Sequence, residues 1–228
     1  MSYTKRIVCL ANSIKTGGYC VAGREITPSG VGPWVRPVSS RRTAEVSFSE
    51  CAFSDGQVPR LLDLIDVPLV RSAPHNHQTE NHLIDPTRKW SLAGSLSFAQ
   101  IREMAETPWT LWTNSDSTSV GTLNCVNGRE ASKHASSLYL VWITHLAVEV
   151  ALNSMRKRCW LGIFTLGQHE YKLNITDPVV LHRLQNLDLG KHDFLSGIEI
   201  LLCISFTEPY VDRRCHKLIA AVITDPTL

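Results

Sequence analysis

Apolar and polar positions alternate in short runs along most of the chain, and only two stretches repeat with helical spacing. Residues 6–11 (RIVCLA) form an apolar run rich in β-formers. Turn material follows, Asn12-Ser-Ile-Lys-Thr-Gly-Gly18, and then Tyr19-Cys-Val-Ala22, a pattern that predicts a β-hairpin with a longish loop. Trp34-Val35-Arg36 is a third candidate strand. Gly32-Pro33 before it and Pro37 after it place it at a sheet edge or keep it very short. Residues 61–67 alternate well enough for a fourth strand, and residues 82–84 supply a short fifth.

The first helical stretch opens on Ser97-Phe-Ala-Gln100, a capping-box pattern, with Phe98, Ile101, Met104 and Ala105 on one face and Pro108 as the stop. The second opens on Asp177-Pro178, an N-cap followed by proline at the first helical position. Val180, Leu181, Leu184 and Leu187 form its stripe before Gly190. Between them, residues 113–136 are rich in Ser, Thr, Asn and Gly and read as a polar linker or long loop. Residues 138–152 are long for a strand, and Ser137 could cap a helix there, but Val, Ile, Tyr, Trp and Thr dominate and favour strand. Residues 159–165 and 170–175 flank Leu166-Gly-Gln-His169 as a hairpin, and residues 198–206 and 218–224 add two strands.

Each half thus holds about five short strands and one helix, the inventory of a Greek-key barrel of the OB type, although a single mixed α+β domain would use the same elements. The expected fold is mostly β with a few helices, two OB-like barrels in tandem. The expected division is residues 1–112, a linker over 113–136, and residues 137–228.

Composition narrows the class. The 228 residues are 43% hydrophobic and 19% charged, which excludes a disordered chain. A net charge of +2 excludes a strongly basic, histone-like binder but leaves room for a local patch. Residues 1–90 carry 11 Lys/Arg and 8 Asp/Glu (11 − 8 = +3). Residues 91–228 carry 12 and 13 (12 − 13 = −1), so an anionic ligand is expected in the first half. Seven cysteines, odd in number and without a CxxC pair, argue against a zinc ribbon or a disulfide framework. Cys9 and Cys20 could face each other across the first hairpin as reduced thiols. No apolar stretch fits a signal peptide or a membrane span, and a cytoplasmic location is expected, with no membrane partner.

Three segments could carry chemistry. The Lys15-Thr16-Gly17-Gly18 loop could cradle a phosphate through backbone N–H groups, or serve only as a hairpin turn. It is not a P-loop. On a strand, Trp34 and Arg36 share a face, where an indole can stack on a base and a guanidinium can meet a phosphate. Arg24 and Glu25 lie near in sequence, and the plainer alternative has Trp34 plugging the barrel and Arg36 pairing with Glu25. The third segment, residues 75–82, packs His75, His77, Gln78, Glu80, Asn81 and His82 together. These suit hydrogen bonding to a ligand or bracing of a loop, and the spacing gives no firm metal set. No metal, cofactor or catalytic residue is assigned.

The run Lys5-Arg-Ile-Val-Cys-Leu-Ala-Asn-Ser-Ile-Lys15, with Cys20-Val-Ala-Gly-Arg24-Glu25 and Trp34-Val-Arg36-Pro-Val-Ser39, resembles the prokaryotic dual OB-containing domain family. Leu62-Asp63, Val67-Pro68-Leu69, His77-Gln78-Thr-Glu80-Asn81 and the ending Cys215-His-Lys-Leu-Ile-Ala-Ala-Val-Ile223 are similar to it too. The resemblance implies two OB-folds, nucleic-acid or nucleotide binding, a place beside genome-conflict or defence genes, and partners encoded nearby. The favoured reading is a non-enzymatic binding module for nucleic acid or a nucleotide. Lys15, Arg24, Trp34 and Arg36 would form its main face, and His77, Gln78, Glu80 and Asn81 its second wall. The alternatives are an enzyme using His77 and Glu80 as acid and base, and a protein-interaction adaptor in which these polar groups only brace the fold.

Overall fold

A computed structural model describes residues 2–15 and 17–228, leaving aside the side chain of Lys15. The chain divides into two compact units between Met104 and Ala105. The first unit holds β1 (Tyr3–Lys15), β2 (Gly18–Thr27), β3 (Gly30–Val38), α1 (Phe48–Cys51), β4 (Asp63–Ser72), β5 (Asn81–Ile84), β6 (Ser91–Ser95) and α2 (Phe98–Arg102). The second holds β7 (Cys125–Asn127), α3 (Gly128–Ala131), β8 (Leu138–Leu152), β9 (Arg158–Leu166), β10 (His169–Ile175), α4 (Pro178–Leu184), β11 (Gly190–Phe206) and β12 (Arg214–Ile223).

Both sheets close on themselves with the same strand permutation. In the first unit β1-β2-β3-β5-β4 form a ring that β1 completes by pairing with β4, and β6 is added to β4. In the second, β8-β9-β10-β12-β11 form the ring, β8 and β11 complete it, and β7 is added to β12. Among the described residues the only parallel pairs between these strands are the matching ones, β3–β5 and β10–β12. A helix stands between the third and fourth barrel strands in each unit, α1 in one and α4 in the other. Five strands in this closed Greek-key order, with a helix at that point, make each unit an OB-fold.

Alternation places the cores. Ile7, Cys9, Val21, Val35, Ile65, Val67 and Trp90 fill the first barrel. Val141, Val148, Phe164, Tyr171, Leu202 and Ile219 belong to the second core. One glycine on the second strand of each barrel is a steric necessity. A Cβ on Gly23 would lie 1.9 Å from the Val8 carbonyl oxygen, and one on Gly162 would lie 2.4 Å from Ile219 Cδ1.

Several expectations are revised. β3 is nine residues long and pairs on both sides, so it is not an edge strand. Its prolines are tolerated because Pro33 falls at the irregularity between the Arg24–Trp34 and Ile26–Val31 pairs. Pro37 follows Arg36, whose amide donates to the Glu80 carbonyl just before β5. Cys9 faces Gly23 and Cys20 faces Ser13, so the two thiols are not opposite, and none of the seven cysteines is in a disulfide. Residues 113–136, expected as a linker, carry β7 and α3 and contribute Val126 and Ala131 to the second core. Residues 138–152 are one strand, as β-propensity favoured. Both predicted caps form. Ser97 and Gln100 make the capping box, and the Asp177 carboxylate accepts from the amides of Val179 and Val180. Both helices end earlier than their apolar stripes suggested. Among the described residues no helix is long and apolar enough to cross a membrane.

Candidate functional site

In the first barrel β2 and β3 pair so that Arg24 lies opposite Trp34. The Arg24 guanidinium carbon stands 5.7 Å from the Trp34 ring centroid, and its Nε donates to the Gly32 carbonyl at 2.8 Å. Backbone and ring thus fix the guanidinium in one orientation. Trp34 is only 8% exposed, while Arg24 is half-buried.

Two residues further along β3, Arg36 meets the loop between β4 and β5. Its amide donates to the Glu80 carbonyl at 2.8 Å, and its guanidinium pairs with the Glu80 carboxylate at 3.2 Å. Those two side chains are 10% and 4% exposed. The plainer sequence alternative, a pair with Glu25, is not what forms; Glu25 is held by Lys5. The loop that delivers Glu80 is a tight turn. His75 and Gln78 exchange backbone hydrogen bonds at 3.1 and 2.9 Å, and Asn76 takes a φ of 52°. That conformation suits asparagine. His77, Gln78, Glu80 and Asn81 are buried, and Asn81 Nδ2 donates to Gln78 Oε1 at 3.2 Å. At the start of β5 the neighbouring His82 accepts or donates a 2.6 Å hydrogen bond with the Tyr3 hydroxyl. Burial holds its imidazole below the usual value, with the Lys5 charge adding to the effect.

Seven of the eight predicted residues therefore lie on adjoining segments: Arg24, Trp34 and Arg36 on the paired strands β2 and β3, and His77, Gln78, Glu80 and Asn81 in the turn and strand start that Arg36 meets. Lys15 is not with them. Its backbone pairs with Gly18 at the far end of the hairpin, six positions along β2 from Arg24, roughly 20 Å at ~3.3 Å per residue. Its side chain, and Thr16 entirely, lie outside the described residues.

Burial gives these groups different duties. Arg36 and Glu80 neutralise each other and clamp the β4–β5 loop onto β3. His77 is 1% exposed and Glu80 6%, so neither presents an acid or base to solvent. Among the described residues no group of three or more His, Cys, Asp or Glu side chains is placed to hold a metal. Arg24 is the member of the cluster that reaches the surface.

Two groups escaped the sequence reading. Lys217, on β12 between core residues Cys215 and Ile219, is 1% exposed. Its ammonium donates to the Thr113 carbonyl and Asn114 Oδ1, both at 3.0 Å, and lies 5.3 Å from the Tyr171 ring centroid. Burial pushes this amine down to about 7. Alternation along β12 was the available signal, since it turns Lys217 inward. The other group is the basic turn Arg156-Lys157-Arg158 between β8 and β9, visible in sequence as a charge run.

Two closed barrels of one permutation, joined in a single chain, define a dual OB-fold protein. The family model for the dual OB-containing domain matches residues 5–222, and the chain belongs to that family. No curated protein matches the chain.

Proposed function

We propose that the chain is a non-enzymatic binding module for nucleic acid or a nucleotide-like ligand, working in the cytoplasm. The observation that carries this reading is the Arg24–Trp34 pair on the β2–β3 face of the first barrel. OB-folds bind oligonucleotides on that face, between the loops that follow the first and fourth strands. Arg24 would contact a phosphate. Trp34 would fix the guanidinium rather than stack on a base, because the indole is almost covered. Arg36, Glu80, Gln78 and Asn81 would hold the loop wall in place. Seven cysteines with no disulfide among them accord with a reducing compartment. The role in genome conflict or defence comes from the family resemblance alone.

The test is titration of a fluorescent single-stranded oligonucleotide against the wild type and Arg24→Gln, with melting curves to establish that both are folded. Binding about tenfold weaker in the variant is expected, the size of one lost charge-assisted contact. Equal binding would refute the role of Arg24.

One observation favours a second reading, that of an adaptor for proteins: the Arg36–Glu80 pair is spent on bracing. On that reading the wild type binds no oligonucleotide, and substitutions in the cluster change stability alone.

A further inference from the structure

A concentration of exposed positive charge lies in the second barrel, at the end built by the β8–β9 turn, α4 and the start of β11. Residues 152–160 and 178–191 contain five Lys/Arg (Arg156, Lys157, Arg158, Arg183, Lys191) and one acidic residue, Asp188, while Glu149, Asp177 and Asp193 flank them; Asp177 is buried and Asp193 meets His145. Glu149 is engaged by Lys172 at 3.2 Å. All five basic residues are exposed.

The turn is built to present them. Asn153 Oδ1 accepts from the amides of Met155 and Lys157, both at 3.0 Å. The Asn153 amide donates to the Lys157 carbonyl, and the Arg156 amide to the Asn153 carbonyl, both at 2.9 Å. Arg156 takes a φ of 56° at the tip. Arg158 donates to the Leu187 carbonyl and lies 5.8 Å from the Trp160 ring centroid, while Trp160 Nε1 donates to the Leu184 carbonyl at 3.0 Å. These bonds tie the turn to the end of α4, next to Arg183. On the other side of β8, Val150 pairs with both Trp160 and Gly190. Lys191 therefore starts two strand spacings from β9, about 10 Å across.

Charges spread over three elements do not enclose a single anion. Each is exposed and weak alone, but together they gain on a chain of phosphates by releasing its counterions. Leu152, Met155 and Leu189, 45%, 70% and 56% exposed, lie among them and offer apolar ground to unpaired bases. We infer that this end of the second barrel is a contact surface for the phosphate backbone of a single-stranded nucleic acid, separate from the Arg24 face. The choice of nucleic acid over another polyanion rests on the function proposed above.

The experiment uses the full chain and a labelled oligothymidylate, measured across a salt series. The variant is Arg156→Asn/Lys157→Gln/Arg183→Gln, three exposed side chains outside the core, with Asn chosen because it tolerates the positive φ. Affinity should fall about tenfold or more, and the slope of log K against log salt should shrink by about two, the figure for three lost contacts on a single strand. An unchanged affinity and slope would overturn the inference. Loss in Arg24→Gln alone overturns it while leaving the proposed function standing. Loss in the triple variant alone supports it and refutes the Arg24 face. Absence of binding by the wild type at low salt overturns both. Vesicles of anionic phospholipid are the competing probe, and binding to them in place of the oligonucleotide would overturn the choice of ligand.

Discussion

In the first barrel four cations are matched to carboxylates. Lys5 meets Glu25, Arg6 meets Asp66, Arg36 meets Glu80 and Arg41 meets Glu50. In the second barrel the run Arg156-Lys157-Arg158 faces solvent, and Lys217 sits inside the core with carbonyl oxygens for company. The second barrel also has its matched pairs, Lys133 with Glu130 and Lys172 with Glu149, but the two copies of one strand permutation differ in where their other cations sit. Segment totals pointed the other way, +3 for residues 1–90 and −1 for residues 91–228. A total counts charges; it does not register that carboxylates already occupy four of the eleven cations in residues 1–90.

The largest effect expected from breaking this contrast is in the first barrel. Arg36→Ala would remove the guanidinium that faces the buried Glu80 carboxylate and cost about 3–5 kcal/mol in denaturant unfolding. Arg36→Met with Glu80→Leu should recover most of that loss. A mild effect of Arg36→Ala would show that the matching is incidental.

In the second barrel a buried carboxylate is matched by amides instead of a cation. Asp177 accepts from Val179, Val180 and, at 2.9 Å, Val222. Asp177→Ala should cost about 2–3 kcal/mol by removing the cap and leaving buried N–H groups unpaired. Calorimetry of the variant checks this.

Lys217 gives a pH signature. Its amine titrates near 7 when folded and near 10.5 when unfolded. Between those values the unfolded chain holds more protons, so stability rises with pH from about 7 to about 10.5 and the gain is lost as pH falls back through 7. A neutral amine has two N–H donors, which the two carbonyl oxygens satisfy. Melting curves across this range should show the slope in the wild type and lose it in Lys217→Met, whatever that variant does to absolute stability. A persisting slope would assign the titration to another group.

The smallest effect is expected at the surface. Arg6 and Asp66 make two hydrogen bonds, at 2.7 and 2.8 Å, in water. Arg6→Ala should change unfolding by less than about 1 kcal/mol, and the change should fade in high salt.

Much of the fold was legible because it rests on local rules. β-branched residues and two-residue periodicity marked most strands, and Ser97 and Asp177 marked both caps. What was not legible depended on pairing across the sequence. The prolines beside Trp34 suggest an edge until one knows that β5 binds β3 at Arg36. The polar residues of 113–136 suggest a linker until Val126 and Ala131 are seen in the core. The candidate site was legible as a set of residue types, and seven of its eight members do lie on adjoining segments. Their burial was not, because Arg36 and Glu80 are 44 positions apart and nothing local announces the pair. Lys217 escaped for the same reason, since its partners Thr113 and Asn114 come from the other end of the unit.

The parallel pairs that close the rings have a consequence for synthesis. Arg36 meets Asn81, and Asn174 meets Leu218. The partners are separated by 45 and 44 residues (81 − 36 and 218 − 174). During translation, each third strand must therefore wait for more than forty further residues to emerge. Through that interval it presents an open edge that another nascent chain can pair with. Contacts of such long range also slow folding. A chain halted before Asn81, or before Leu218, carries one barrel that has no seam to close.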